Sequence, residues 1–530
     1  MRFGRAAWAC SLLIASLGTA SAAPPQHDGR NTTLYAPDAT TFLLSRSTGG
    51  GIPNGPSRNP AISQDQRLAR YVAFESDASD LVGGDVNNAT DVFYVERAGP
   101  YGDSGGEWKP GRIRLASAGM NGQPANGRSY LPALDGDSKD LHPRCLAFVS
   151  EASNLVPGDT NGVADVFIRN LDTGTLRRVS VGSHGQQANG PSFDVSLAGD
   201  CSRVAFTSTA TNLALTRARR PYLKRLVTSA PPPGTKQIYV RILRGDPKDG
   251  TLIGQTFLAS ATNHRPGNGD SFDPSWSRPG KAFVFTSTAT NLSGEDSAPN
   301  ADVYLRETRR MFAKYEVTLC KTKRKPGRRV RICHHTVRGR QTLRLATRLV
   351  SQGADGDSSS ATITDSGNLV AYESTATNLS PRDKDARSDI YRADLAHDPP
   401  AQELISTTKR AVANGNSYNP AITAAGVAVF FDSDASNLKV FPYFENDPNG
   451  LRDMMVGVPI YGSAGVDSLT WENRFADGPS QNPAPSARHN YVAFESSATD
   501  LDQTIRNPLR EHAIFLRYDG PFSGDAVTER

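Results

Sequence analysis

The chain contains 530 residues, of which 37% are hydrophobic, and its formal net charge is +5. This length exceeds that of one ordinary domain, so it requires several domains or one assembly of many small units. After the N-terminal segment no stretch is apolar enough to form a transmembrane helix, so the sequence predicts a protein that does not span a membrane.

The first residues have the pattern of a secretory signal peptide. Two arginines precede an apolar run over residues 6–17, and a small-residue cleavage site follows at residues 20–22. The run is too short to cross a bilayer as a helix. We therefore expect residues 1–22 to be a signal peptide and residues 23–40 to be a linker. The mature protein is expected to be a secreted, extracytoplasmic monomer.

A unit that recurs seven times follows this segment. Each copy has a strand of Val-Ala-Phe type that continues into Ser-x-Ala-[Ser/Thr]-[Asn/Asp]-Leu, as at residues 72–81. Repetition at this spacing indicates one supersecondary unit that packs against copies of itself. The central strands begin at Val72, Leu146, Val204, Phe283, Val370, Val429 and Val492.

Three more signals complete each unit. An [Asn/Asp]-Gly pair, such as residues 414–415, precedes a short strand such as residues 419–423. Such pairs accept a positive φ at little steric cost, so they predict tight turns. An Asp-Val-Phe-like strand, as at residues 91–93, and a fourth strand, as at residues 177–180, close the unit. Each unit is therefore predicted to be an antiparallel meander of four strands.

The ends of the chain predict how the units are arranged. Residues 41–45 have the sequence of a fourth strand, whereas the seventh unit ends after its third strand. We therefore predict an all-β, seven-bladed β-propeller of four-stranded antiparallel blades over residues 41–518, closed by pairing of residues 41–47 with residues 513–518. Residues 519–530 form a C-terminal tail. A linear solenoid of the same units is the alternative, although it would require polar caps.

Two basic insertions interrupt the predicted propeller, at residues 214–236 and 306–346. Residues 306–344 contain fourteen Lys or Arg against two Glu, and residues 216–236 contain six Lys or Arg and no acid, so the rest of the mature chain is acidic. The insertions predict binding of an anionic partner by Coulomb attraction, and solvated loops that keep an acidic body soluble are the alternative. The candidate anion-binding residues are Arg217, Arg219, Arg220, Lys321, Lys323, Arg324, Lys325, Arg328, Arg329 and Arg331.

Four cysteines remain after the signal peptide. Cys320 and Cys333 flank a predicted hairpin, which favours a disulfide between them. A zinc site that adds His334 and His335 is the alternative, but two adjacent histidines do not match the usual ligand spacings. A second disulfide, between Cys145 and Cys201 at the starts of two central strands, depends on the geometry of adjacent blades.

The repeat resembles the TolB-like family of WD-repeat-like propellers. The residues that carry the resemblance are Ala198-Gly199-Asp200 before Val204-Ala205-Phe206, together with the Asp-Val-Phe strands, over about residues 41–518. The resemblance implies an exported propeller that acts as a binding platform. TolB itself has six blades and an α/β domain before them, whereas this chain has seven units after a short N-terminal segment.

The loops before the third strands carry oxygen side chains at fixed positions. Asp or Asn at the first, third and seventh positions of a tight loop suits a hard cation such as calcium. Capping of turns by the same side chains is the alternative. The candidate ligands are Asp85, Asn87, Asp91, Asp159, Asn161, Asp165, Asp383, Asp385, Asp389, Asp447, Asn449 and Asp453. No other cofactor is expected.

No catalytic motif is visible in the sequence. It contains no His-Glu-x-x-His pair and no phosphate-binding loop before a helix. We therefore predict a non-enzymatic binding or scaffold protein whose partner is a protein or an anionic cell-surface polymer and not a nucleic acid. A carbohydrate-active propeller lyase or hydrolase, with a site built from blade loops, is the alternative. A mainly structural surface protein is a third hypothesis.

Overall fold

A computed structural model describes most of the predicted propeller. The described residues are 40–65, 69–98, 108–119, 121–136, 145–214, 216, 228–244, 253–296, 299–325, 328–408, 411–438, 449–458, 463–466, 475–488 and 490–518. Between residues 308 and 345 the description covers the backbone and the side chains of the two cysteines. The predicted signal peptide, nearly all of the predicted linker and the predicted tail lie outside the described residues.

The described chain is all-β, and its repeated units are four-stranded antiparallel sheets. The strand β1 (Thr40–Leu43) comes first and belongs to the last blade. Blades 1 to 4, with a two-stranded hairpin before blade 4, contain β2 (Ser57–Ile62), β3 (Tyr71–Ser76), β4 (Asp91–Ala98), β5 (Lys109–Leu115), β6 (Ser129–Leu134), β7 (Cys145–Ser150), β8 (Asp165–Asn170), β9 (Leu176–Arg178), β10 (Ser192–Leu197), β11 (Arg203–Ser208), β12 (Gln237–Ile242), β13 (Thr256–Leu258), β14 (Ala261–Thr262), β15 (Arg265–Pro266), β16 (Ser271–Trp276), β17 (Ala282–Ser287), β18 (Asp302–Lys325) and β19 (Arg328–Leu349). Blades 5 to 7 contain β20 (Ser358–Ile363), β21 (Leu369–Ser374), β22 (Asp389–Asp394), β23 (Ala401–Leu404), β24 (Ser417–Ile422), β25 (Val429–Ser433), β26 (Asp453–Val458), β27 (Ser463–Val466), β28 (Ser480–Pro485), β29 (Tyr491–Ser496) and β30 (Ala513–Tyr518).

The predicted closure of the ring is confirmed. The N-terminal β1 pairs antiparallel with β30, with Thr40 opposite Tyr518 and Leu43 opposite Phe515, so the last sheet has the order β1-β30-β29-β28. Leu43 N also donates a hydrogen bond to Asp502 Oδ2 at 2.8 Å. The seven blades therefore form a closed ring and not a linear solenoid. No helix that could cross a lipid bilayer occurs in the described part of the chain.

The hydrophobic core lies between the blades. Val72 and Phe74 belong to a buried cluster that includes residues of blade 7, whereas Ala73 belongs to another cluster that includes Phe148 of blade 2. This division follows from the alternation of side chains along a strand. Burying one such Phe contributes about 1.5–3 kcal/mol, so each blade depends on both neighbours for its stability.

The two serines of the repeat hold the first and second strands of each blade together. In every blade the Oγ of the serine that begins the first strand lies 2.8–3.2 Å from the Oγ of the serine that ends the second strand. In blade 6, Ser433 Oγ also accepts a hydrogen bond from Ala435 N at 3.1 Å. All these serines are buried. The Ser-x-Ala part of the motif therefore satisfies polar groups inside the fold.

The glycines of the [Asn/Asp]-Gly pairs serve close packing, so the expectation of a positive φ was wrong. None of these seven glycines has a positive φ, but a Cβ on Gly415 would lie 2.6 Å from the carbonyl carbon of Asp434. Two hydrogen bonds hold the loop of Asn414 against the turn after the second strand. Ser436 N donates to Asn414 Oδ1 at 2.8 Å, and Asn414 N donates to Asn437 Oδ1 at 2.9 Å. The pair lies between blades and packs on the turn that follows the second strand.

Blade 4 carries a long two-stranded extension where the sequence predicts the second basic insertion. The strand β18 pairs with β17 only from Asp302 to Glu307, yet it pairs with β19 out to Lys325 opposite Arg328. We call residues 308–345 the ribbon. The hairpin predicted around Cys320 and Cys333 is therefore part of a longer one. Most of the first insertion, residues 217–227, lies outside the described residues.

Deletion of residues 24–48 should lower the melting temperature of the mature protein by about 5 °C or more, because blade 7 loses β1 and exposes the edge of β30. Thermal unfolding followed by circular dichroism measures the change. Deletion of residues 24–39 alone is the control, since it keeps β1. Equal melting of the two truncated proteins would contradict the closure.

The substitution Gly415→Ala should destabilise the protein by about 1–3 kcal/mol, because the added methyl group overlaps the backbone of Asp434. Gly294→Ala is the matched control, since a Cβ there meets no atom within 4 Å and Gly294 has no positive φ. Urea unfolding measures both free energies. If the two variants unfold alike, the close-packing explanation of the motif fails.

Candidate functional site

In blades 1 and 2 the predicted calcium loops place their last aspartate at the start of the third strand, where it is buried. Asp91 accepts a hydrogen bond from Asn87 Nδ2 at 2.5 Å and another from Ser117 Oγ. Asp165 accepts one from Asn161 Nδ2 at 2.8 Å. Burial raises the pKa of Asp91 to about 6. These contacts join the third strand to neighbouring turns, which is the capping role that the sequence left as the alternative.

An arginine lies between the two predicted aspartate ligands of blade 2. Arg178 Nη1 donates to Asp159 Oδ1 at 2.7 Å and to Asp165 Oδ2 at 3.1 Å. The arginine side chain is 9% exposed, so solvent screens these ion pairs only weakly. The chain's own cation is therefore shared between both carboxylates of this loop.

Blade 5 brings three of the predicted ligands together. Asp383, Asp385 and Asp389 each contribute one carboxylate oxygen to a group whose members all lie within 4.8 Å of one another. Tyr391 Oη donates to Asp383 Oδ2 at 2.6 Å, and Arg387 Nη1 donates to Asp385 Oδ2 at 2.5 Å. Burial is the main cause that raises the pKa of Asp389 to about 7. Calcium binding at this loop stays a prediction.

Three further predicted ligands, Asp85, Asn449 and Asp453, lie in blades 1 and 6. Asp85 is buried, and burial raises its pKa. Asn449 Nδ2 donates to Ala476 O at 2.9 Å, and Asp453 is fully buried at the start of β26. Asp447 lies outside the described residues, so the structure describes only two of the three predicted calcium ligands of blade 6.

Both predicted disulfides are present. Cys145 and Cys201 join blades 2 and 3, with their Cα atoms 6.1 Å apart. Cys320 and Cys333 are opposite each other in the ribbon and are bonded. Because the second pair is oxidised, the two thiolates that the alternative zinc site needs are not available.

The candidate anion-binding residues divide between two places. Arg217, Arg219 and Arg220 lie outside the described residues. The others lie in the last five register pairs of the ribbon, from Lys321 opposite Ile332 to Lys325 opposite Arg328. These are Lys321, Lys323, Arg324, Lys325, Arg328, Arg329 and Arg331.

The first strands of the blades line a central channel with a volume of about 580 Å³. Each first strand contains a bulge where its pairing with the second strand shifts. One residue at each bulge has a φ between 33° and 56°, in the left-handed region that Asn and Asp tolerate best. These channel-lining residues are Asn59, Leu131, Asp194, Asp273, Ser360, Asn419 and Asn482.

Carboxylates connect some of these bulges to the preceding blade. Glu75 Oε2 of blade 1 accepts a hydrogen bond from Leu131 N of blade 2 at 2.8 Å, and Glu495 Oε2 of blade 7 accepts one from Asn59 N of blade 1 at 3.0 Å. In the same way Glu373 bonds Asn419 N at 3.3 Å and Asp432 bonds Asn482 N at 3.2 Å. Blades 5, 6, 7 and 1 therefore form one continuous arc of interblade carboxylate bridges.

The sequence analysis did not identify the channel residues. In the sequence these residues occupy the third position of the short first strand. Asn or Asp recurs at this position, as at Asn419 before Pro420. That position was interpreted only as part of a strand, because a bulge is decided by pairing with the second strand and not by the local pattern.

The fold and the channel define the class of the protein as a seven-bladed β-propeller. No family model matches the chain, and no curated protein matches it. Among solved structures the chain is similar to TolB from Acinetobacter baumannii, with 12% identity, a TM-score of 0.32, and coverage of 68% of this chain and 61% of that one.

Two further solved structures have names of enzymes. An oligogalacturonate lyase in complex with manganese is 11% identical, with a TM-score of 0.44 and coverage of 91% of this chain and 96% of that one. A prolyl endopeptidase is 12% identical, with a TM-score of 0.42 and coverage of 90% of this chain and only 51% of that one. At these levels of similarity the matches do not decide between binding and catalysis.

We expect millimolar calcium to raise the melting temperature relative to chelator, because an ion that binds only the folded protein stabilises it. Asp385→Asn should reduce this rise by removing a ligand at blade 5. The control Asp172→Asn removes the same charge from an exposed turn and should leave the rise unchanged. Identical melting curves in calcium and chelator would assign these loops to turn capping alone.

Proposed function

We propose that the chain is an exported, non-enzymatic β-propeller that binds an anionic cell-surface polymer through the ribbon of blade 4. The propeller anchors the ribbon, and the ribbon supplies the positive charge. The observation that carries this proposal is the length of the strand pair β18–β19. The pairing of β18 with β17 ends at Glu307, whereas its pairing with β19 continues to Lys325.

The length of the ribbon separates its charge from the acidic propeller. Residues 308–325 continue past the sheet, which corresponds to about 60 Å at the usual rise of a strand. The screening length at physiological salt is only about 8 Å, so negative charge on the propeller has little effect at the end of the ribbon. A polyanion can therefore approach that end without repulsion from the body of the molecule.

The composition of the ribbon provides the attraction. Residues 306–344 contain fourteen Lys or Arg against two Glu. A chain of such cations binds polyanions through Coulomb attraction and release of counterions, with a steep dependence on salt. An isolated two-stranded hairpin is marginally stable in water, and the disulfide between Cys320 and Cys333 keeps the register next to the most basic segment.

The test replaces residues 309–344 by Asn-Gly, which leaves Thr308 opposite Leu345 as in the native register and allows a two-residue turn. We expect the intact mature protein to bind alginate, with affinity falling by about a thousandfold between 50 and 200 mM salt if six or more charges are engaged. The shortened protein should keep its melting temperature and lose this binding. Dextran is the neutral control polymer.

A second variant separates the two basic insertions. Changing Arg217, Arg219 and Arg220 to Gln removes charge from the first insertion and leaves the ribbon intact. This variant should bind alginate nearly as well as the parent protein. The proposal would be contradicted if the shortened protein bound alginate as well as the parent, or if the parent did not bind alginate at low salt. The ribbon would then be only a solubilising extension.

A further inference from the structure

The two disulfides of the chain differ in their exposure to solvent. Cys145 is 3% exposed, and its bond to Cys201 joins blades 2 and 3. In the ribbon Cys333 is exposed, whereas Cys320 is half-buried. A thiolate breaks a disulfide by attacking one of its sulfur atoms, so access to a sulfur atom limits the reaction. Of the four cysteines that the structure describes, Cys333 is therefore the most open to such an attack.

Positive charge surrounds the ribbon disulfide. Lys321 directly follows Cys320, and Arg331 lies two positions before Cys333, on the same face of the ribbon because side chains alternate along a strand. Residues 317–337 contain seven Lys or Arg and no Asp or Glu. Cations beside a cysteine stabilise its thiolate, which makes that cysteine a better leaving group. They also attract a negatively charged reagent.

The disulfide between the blades has a different environment. It borders a cavity of about 250 Å³ that Arg177, Arg244 and Asp200 also line. Asp200 directly precedes Cys201, and Arg244 Nη2 donates to Asp200 Oδ2 at 2.8 Å. A carboxylate next to the bond disfavours an approaching anion, whereas the ribbon has no acidic residue near its bond. The two disulfides therefore allow a comparison within one molecule.

The ribbon has no third strand that would hold its end together. Beyond Glu307 the strand β18 pairs with β19 alone. An isolated two-stranded hairpin is marginally stable in water. Cleavage of the bond between Cys320 and Cys333 leaves residues 321–332 held by backbone pairing only. Exchange at this bond therefore changes the end of the ribbon while the propeller stays as it is.

We propose that Cys333 is a site of thiol–disulfide exchange with small thiols that carry carboxylates. The thiolate of the small molecule attacks Cys333 Sγ, the bond between the two cysteine sulfur atoms breaks, and Cys320 leaves as a thiolate. The product is a mixed disulfide at Cys333. A second thiolate then attacks the sulfur atom of the attached small molecule, which releases the oxidised small-molecule disulfide and leaves Cys333 as a thiolate.

The exchange does not depend on the polymer proposed for the ribbon. It requires an exposed sulfur atom and a positive field around it, and both are present whether or not a polymer binds. A failure of alginate binding therefore leaves the exchange untouched, and a failure of exchange leaves the polymer proposal untouched.

The test treats the full mature protein with reduced glutathione, which is an anion, with uncharged 2-mercaptoethanol and with cationic 2-aminoethanethiol. Acid quenching, alkylation and mass mapping measure the rate at which each disulfide opens. At equal thiolate concentration and 100 mM salt, we expect glutathione to open the ribbon bond at least about tenfold faster than 2-aminoethanethiol does. At 1 M salt the screening length falls from about 10 Å to about 3 Å, so this preference should largely disappear.

The bond between Cys145 and Cys201 is the internal control. It should open more slowly with glutathione than the ribbon bond does, and the first glutathione adduct should be found on Cys333. The proposal would be wrong if both bonds opened at the same rate, if the adduct formed first on Cys320, or if glutathione had no advantage over 2-aminoethanethiol at 100 mM salt.

Charge variants locate the effect on the ribbon. Lys321→Gln combined with Arg331→Gln removes two charges within about 7 Å of the cysteines along the strands and should slow opening by glutathione about threefold or more. Arg309→Gln combined with Arg344→Gln removes the same number of charges about 36 Å away, which is several screening lengths, and should leave the rate unchanged. Equal rates for the two double variants would contradict the role of the neighbouring charge.

Discussion

The structure depends on the need of each blade to cover two apolar faces with its neighbours. Val72 and Phe74 of one strand pack toward blade 7, and Ala73 of the same strand packs toward blade 2. No blade can be stable as a separate sheet, because the apolar side chains on both of its faces would be exposed to water. The pairing of β1 with β30 completes the ring, and so all seven clusters depend on it.

The residues that recur in every blade mainly build this framework. Serine pairs bridge the first two strands, and Asn414 and its equivalents cap the following turn. In blades 1, 2, 4 and 5 an aspartate at the start of the third strand also bonds a nearby serine. The serine pairs and Asp91 are buried, and these hydrogen bonds stabilise the fold. Function is to be sought where a blade departs from the repeat.

Two departures are visible, and they have opposite charge. The ribbon of blade 4 extends a pair of strands out of the ring and carries cations along its length. In blades 3 and 4 the second strand carries Thr207 and Thr286 where blades 1, 5, 6 and 7 carry a carboxylate, and Asp194 and Asp273 occupy the bulges that line the channel.

The sequence by itself determined the number of blades, their four-stranded pattern, the closure and the bonded pair Cys320–Cys333, because these features follow from local periodicity and from counting strands. Only the tertiary structure decided the roles of side chains that meet across blades. Gly415 shows this, since its local pattern suggested a positive φ whereas contact with Asp434 requires its missing Cβ. Arg178 between two predicted ligands and the bulge at Asp273 show it as well. Their partners belong to other strands or other blades, and packing between distant segments cannot be obtained from the pattern within one repeat.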